Sequence, residues 1–379
     1  MTREYQVIST DDHIIEPPGL FDGRLPKEFE DRTPKLVETE ESAAWEIPGV
    51  DKPIEMSGLG TAAGQKEEEF SPKSKTFGAM RAGCYDPRER LKDMDLDGVD
   101  VQVTFPTLPG LAGLTFIEIE DKPYAAALIR AYNDWLVEEW SAADPERLLG
   151  VAILPLWDPP AAAEELRRVV GRGIKVTTLP SAPQTIPGVK PYPDESWEPI
   201  WDALEGTGVP AEIHIVSGKN DLSPLAAMGG GAEIFVCMAP SSNMATVATL
   251  LFSGILRKHP KLKFISAESG IGWVPYFIER ADYTHRKHQF WTGTKIDVTP
   301  SDLFRQSIFV NFISDRAGVE LRHHMLDNIM LGTDYPHTDS SWPNTQLVIK
   351  EQMGDIEDEE RDKICWKNAV RVFNLNGSS

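Results

Sequence analysis

Asp11, His13, His214, Glu268 and Asp334 each stand where a short apolar run gives way to polar residues: STDDHIIEPP, EIH, SAESG and GTDYPH. Asp11 and His13 are two apart, so on an extended chain their side chains share a face and can grip one ion together. Imidazole with carboxylate is a common ligand set for iron, manganese and zinc. A lone Asp-x-His reads more readily as a solvated aspartate beside a turn histidine; recurrence of the same residue types at four run ends singles these out.

The inventory is larger than one ion needs. Four carboxylates (Asp11, Glu16, Glu268, Asp334) and three imidazoles (His13, His214, His337) are candidates to converge. Carboxylate-rich sets with two or three histidines suit paired irons, the carboxylates bridging the metals. Glu16 either bridges or orients His13 from behind, and His337 either ligates or works as a substrate-facing base. Glu16, Glu268 and His337 are thus the catalytic candidates. Asp12 points away from its neighbours by alternation and reads as a backbone partner. Lys175 lies too early in its run to act as a carbamylated bridge. His259, His285, His288, His323 and His324 fall on or beside helical stretches and read as surface or capping residues.

Eight apolar or β-branched runs must position these groups: 5–9, 99–105, 148–156, 173–179, 209–216, 262–267, 308–313 and 328–333. Stretches with helical periodicity lie between them, at 123–142, 160–172, 195–205, 244–258, 273–283 and 316–325. Alternating strand and helix with near-continuously apolar strands predicts an α/β fold, a (β/α)8 TIM barrel whose chemistry sits at the carboxyl ends of the strands. An open doubly wound sheet would need a glycine-rich phosphate loop after an early strand, and none is present. The chain reads as a single domain over 1–379, with 19–85 a lid-like insertion after the first strand and 357–376 an amphipathic helix closing the barrel.

The D-x-H-x-x-E-P opening, the segments YDPRERLKDMDLDGVDVQVTFP and LKFISAESGIGWVPYFIERAD, His214 and the ending IMLGTDYPHTDSSWP together resemble the amidohydrolase-related family of TIM-barrel hydrolases and nonoxidative decarboxylases. In that family's decarboxylases the sixth strand carries a histidine that moves protons. Here that place is held by Glu268. The resemblance, with this departure, implies a branch of nonheme diiron monooxygenases, using two Fe ions, O2 and an external electron donor to hydroxylate a bulky, coenzyme A-linked, diterpenoid-like substrate. The alternative it implies is a hydrolase or decarboxylase with one Zn or Mn. Lys66, Lys73, Lys75 and Arg81 form the basic cluster in the insertion and are candidates to meet a CoA thioester's phosphates.

A formal net charge of −21 argues against nucleic acid or an anionic membrane surface as partner, because a broad acidic field repels phosphate. No apolar run approaches the roughly 18 residues a membrane span needs, and the opening MTREYQVIST lacks a signal peptide's apolar stretch, so a cytoplasmic location is expected. A homo-oligomer is compatible with the sequence. Cys84, Cys237 and Cys365 are odd in number and widely spaced, which predicts buried thiols rather than disulfides. A catalytically silent binding barrel is the remaining alternative, disfavoured because so many ionisable groups at strand ends are costly to bury.

Overall fold

Strands flanked by covering helices on one side and by a filled barrel on the other have no face left for water, and the barrel strands here are buried at every position. The computed structural model describes residues 5–218, 230–293 and 297–375. Eleven strands run in chain order among them: β1 (Ile8–His13), β2 (Lys35–Glu38), β3 (Ala43–Glu46), β4 (Ile54–Glu55), β5 (Val101–Phe105), β6 (Leu148–Gly150), β7 (Thr177–Thr178), β8 (Ala211–His214), β9 (Phe264–Ala267), β10 (Ile308–Phe312) and β11 (Ile329–Leu331). Strands β1-β5-β6 and β7 to β11 form two parallel sheets.

The two sheets join into a ring. A parallel bridge between Ala152 and Thr177 links the β6 and β7 edges. On the other side the Asp334 N–H donates to Asp11 O (2.7 Å) and the Thr10 hydroxyl donates to Leu331 O (3.1 Å). Gly332 permits this seam: a Cβ there would stand 2.8 Å from the Asp11 Cβ. The expected α/β barrel of eight parallel strands is therefore what the described residues form.

The first strand differs from expectation. It covers Ile8–His13 rather than 5–9, so Asp11 and His13 lie within the strand and not after it. Ile8 pairs with Val101 and His13 with Phe105, so one extra residue of β1 is absorbed between Ser9 and Asp12. This bulge lets Ile8, low in the barrel with Val101, Val103 and Phe309, share the inner face with Asp11 and His13. A larger cluster of buried side chains, among them Trp135, Trp140, Trp197 and Trp201, fills the space between strands and helices.

The segment 19–85 is more ordered than its composition predicts. It carries the antiparallel sheet β2-β3-β4 and five short 3-10 turns. Its residues reach the barrel's last loop: the Ala62 and Ala63 N–H groups donate to Pro336 O, and the Thr338 N–H donates to Leu59 O. The helix Pro87–Asp97, which leads into β5, has Asp86 accepting from the Arg88 and Glu89 N–H groups at its start and Gly98 (φ 71°) at its end.

Other elements depart from the sequence pattern. The tail is helical over 358–372 but contains a π turn at Lys363–Lys367, and Asn376 lies outside the described residues. The helix expected at 273–283 extends over Val274–Thr292. The stretch Gly231–Phe252, contrary to expectation, is long and apolar enough by length and composition to cross a membrane. It is built as two helices, Gly231–Met238 and Ser241–Phe252, the second burying Asn243, Thr246, Val247, Leu250 and Leu251. Cys84 and Cys365 are buried as expected, whereas Cys237 is exposed because its short helix packs few residues inward.

Candidate metal centre

Four strand ends deliver the cluster. From β1 come Asp11 and His13, both fully buried; β8 ends in His214, 2% exposed; and Asp334, fully buried, follows β11 by three residues. Single ligand atoms of Asp11, His13 and His214 lie within 4.8 Å of one another, as do those of His13, Asp334 and His337. His13 is common to both groups. Its Nε2 is 3.1 Å from Asp334 Oδ1 and 3.8 Å from Asp11 Oδ1, and His214 Nε2 is 3.5 Å from Asp11 Oδ1.

Glu268, one residue beyond β9, completes the rim. Its Oε2 lies 3.1 Å from His214 Nε2. Its N–H donates to Asn311 Oδ1 (2.7 Å), while the Asn311 amide donates to the Thr10 hydroxyl (3.0 Å), tying β9, β10 and β1 behind the site. Glu268 and Asp334 both sit in the left-handed region, at φ 53° and 52°. Such a conformation costs about 1–3 kcal/mol per residue and concentrates at functional sites. Asn311 was not anticipated, since an asparagine inside an apolar strand gives no sign of what it holds.

The residues fit a cation by one direct test. Both oxygens of Asp11 and of Asp334, both ring nitrogens of His13, and His214 Nε2 are buried with no hydrogen-bond partner. Each such group costs on the order of 1–3 kcal/mol unless something satisfies it. His214 Nδ1 lies 2.9 Å from Ile215 O, an acceptor only, so Nδ1 carries a proton and Nε2 is the nitrogen turned to the cluster. Among the described residues a divalent ion held by Asp11, His13, His214 and Asp334 would satisfy the atoms that face it, one ring nitrogen of His13 among them.

The electrostatics agree. Burial holds His13 well below the ordinary histidine value, helped by the neighbouring His337, which leaves a neutral ring able to ligate. Burial acts the same way on His214, but the nearby Asp11, then the charge of Glu268, outweigh it and push that ring up to about 9. An arriving cation would displace this proton. Asp11 and Glu268 are raised by burial, Glu268 further by Asp334, whereas the histidines around Asp334 overcome its burial and lower it.

The remaining expected residues divide. His337 joins the cluster: its ring stacks on His13 at 3.8 Å between centroids, and Nδ1 is 2.9 Å from Asp334 Oδ1. Glu16 does not join it. Its oxygens accept from the Thr107 N–H (3.0 Å) and the Leu108 N–H (2.8 Å), so the carboxylate anchors the loop after β5 instead of bridging metals. Asp12 fulfils the partner role expected of it, accepting from Gln102, Thr333 and the Tyr335 N–H. Arg90, fully buried, reaches the same network by donating to Gln102 Oε1 (3.1 Å) and His13 O (2.6 Å). Glu212, two residues before His214, was also missed; it is fully buried and neither oxygen has a partner.

Two of the four basic residues of the insertion's cluster are already engaged. Arg81 donates to both oxygens of Asp93 (2.7 and 2.6 Å) and Lys75 donates to Thr61 O (3.0 Å). His259, expected at the surface, is 4% exposed and meets Glu198 Oε2 at 3.1 Å.

The sequence profile of the amidohydrolase family matches residues 44–375. The chain belongs to the amidohydrolase family. Gamma-resorcylate decarboxylase of Rhizobium sp. (strain MTP-10005) is 28% identical to this amidohydrolase over 311 residues, covering 76% of this chain and 87% of that protein. A crystal structure of an amidohydrolase from Mycobacterium avium subsp. paratuberculosis K-10 superposes with a TM-score of 0.77 at 24% identity, covering 98% of this chain and 100% of the other. The 5-carboxyvanillate decarboxylase of Novosphingobium aromaticivorans DSM 12444, solved with manganese and 4-hydroxy-3-methoxy-5-nitrobenzoic acid, gives 0.65 at 23% identity, covering 77% and 81%. These comparisons correct the expectation of a paired-iron monooxygenase, because the relatives matched along three quarters of the chain are named as decarboxylases. The withdrawal of Glu16 into a backbone clamp removes one of the carboxylates on which two irons were counted.

Proposed function

We propose that this amidohydrolase is a metal-dependent nonoxidative decarboxylase of a small aromatic carboxylic acid. The observation that carries the reading is the convergence of unsatisfied atoms of Asp11, His13, His214 and Asp334, in a chain that matches a named decarboxylase over 76% of its length. A bound divalent ion, manganese or zinc by its ligand set, supplies a Lewis-acid anchor for the substrate's oxygen atoms.

The protein's own groups then have defined tasks. Glu268, whose carboxyl burial raises well above the ordinary glutamate range, faces the cluster from β9 and in its protonated form delivers its proton to the ring carbon that bears the carboxylate. The C–CO2 bond breaks, its electron pair restores the aromatic ring, and CO2 leaves. Glu268 regains a proton from water through its 19% exposed side. His337, stacked on His13 and 25% exposed, borders the substrate's entry. Residues 57–63 of the insertion, fastened to Pro336 and Thr338, act as the lid that keeps water from the reacting carbon.

The test is a panel of hydroxybenzoic acids incubated with manganese-loaded enzyme under argon, following CO2 release. The reading expects full turnover without oxygen. Turnover that begins only when O2 is admitted, with an oxygen atom found in the product, would overturn it.

A further inference from the structure

Opposite the metal centre, at the amino-terminal ends of the strands, lies a cavity of about 490 Å3 lined by Val170, Gly173–Lys175, Thr207–Val209, Lys263, Arg371, Phe373 and Asn374. Three cations line it and, among the described residues, no carboxylate does. The chain carries 59 acidic residues against 38 basic ones, so a wall with this balance runs against the composition.

Among the described residues no carboxylate forms an ion pair with Lys175, Lys263 or Arg371. Lys263 meets only carbonyls, Arg371 O at 3.4 Å and Val372 O at 3.3 Å. Arg371 donates through Nη2 to Asp327 O and to Asn368 Oδ1 and packs over the Phe309 ring, which leaves Nε and Nη1 without a hydrogen-bond partner among the described residues. Lys263 is held below the ordinary lysine value by burial and then by the charge of Arg371.

We propose that this cavity binds a small phosphorylated anion. The helices Pro159–Val170, Glu198–Thr207 and Asn368–Val372 end beside it, and helix carboxyl ends attract cations with roughly half a charge each. Three such ends account for about half of the three positive charges, and the remainder calls for an anion. The volume suits a small ligand, and lysine point charges beside an arginine fork are groups that hold phosphate. Asn374, in the left-handed region at φ 51°, brings a further polar side chain to the rim. Sequence reading set Lys175 aside because it comes early in its strand, and that same position places it here.

Isothermal titration of the full-length, metal-loaded protein with inorganic phosphate, at constant low ionic strength, tests this. Saturable one-site binding is expected, weakened at least tenfold in the Lys175→Gln/Lys263→Gln double variant and retained in Lys175→Arg/Lys263→Arg. Lys92→Gln, on an exposed helix face, should bind like the parent. Absence of saturable binding, or binding equal in the parent and the double glutamine variant, would overturn the proposal, the latter by placing phosphate at the metal centre. Capture by phosphatidylglycerol vesicles without affinity for free phosphate would likewise overturn it in favour of a lipid surface.

Discussion

His13 and His337 lie face to face, their ring planes 23° apart, and both direct a nitrogen at the same atom, Asp334 Oδ1, at 3.1 and 2.9 Å. One carboxylate oxygen therefore fixes a buried ligand and a residue at the mouth together. Moving either ring changes what the other can reach.

Asp334→Asn is expected to lower bound manganese at least tenfold, because a neutral amide cannot balance the charge of a cation. Asparagine tolerates the left-handed backbone at this position, so the thermal midpoint of metal-free protein should hardly move. Glu16→Gln should retain most of the metal. Elemental analysis of the three proteins decides it, and metal retained in Asp334→Asn would remove that residue from the centre.

Glu268→Gln should leave the metal in place and lower kcat by about 10²–10⁴-fold, the usual contribution of a positioned acid. Turnover of the parent enzyme in D2O should place one deuterium at the ring carbon vacated by CO2. Unchanged kcat in the glutamine variant would assign the proton to another group.

Gly332→Ala is predicted to disturb the centre without contributing any ligand. A Cβ at this position meets the Asp11 Cβ at 2.8 Å, so either β11 or Asp11 must move. A fall in metal affinity larger than the fall in thermal stability is the expected pattern; the reverse would mean that the seam yields without shifting Asp11.

A pH effect is expected away from the site, at Asp97. This carboxylate, 3% exposed, accepts from the Thr345 N–H (2.9 Å) and the Thr345 hydroxyl (2.6 Å), and burial raises it from 3.8 to about 6. A carboxyl group raised in the folded state stabilises fully below 3.8 and loses that contribution as pH climbs through about 6. Asparagine can keep both contacts by accepting from the N–H and donating to the hydroxyl. Asp97→Asn should therefore gain stability relative to the parent between pH 4 and 7, on the order of 2 kcal/mol at the upper end. Denaturant midpoints that stay parallel across this range would refute the assignment.

Much of the site was legible because a charged or imidazole side chain closing an apolar strand has few other uses. Asp11, His13, His214 and Asp334 are visible in that way, and the strand–helix alternation around them specifies the barrel. What sequence does not reveal is where a polar atom's hydrogen bonds go. Glu16 and Arg81 have the right types and the right neighbourhood, yet Thr107, Leu108 and Asp93 take them. Counting Glu16 as a free ligand inflated the metal count, and Arg81 is already paired rather than open to the coenzyme A partner that the resemblance implied. The bulge in β1 and the left-handed turns at Glu268 and Asp334 are equally hidden, because tertiary packing and not residue preference imposes them.

The seam between β1 and β11 sets an order of events. Asp11 and Asp334 are joined by a backbone hydrogen bond across a separation of 323 residues, and His13 belongs to the same junction. During synthesis Asp11 and His13 emerge well before Asp334, and the centre stays open until the eighth barrel strand docks beside the first. Metal uptake by this chain thus reports ring closure, and a nascent protein should capture its ion only as one of the last steps of folding.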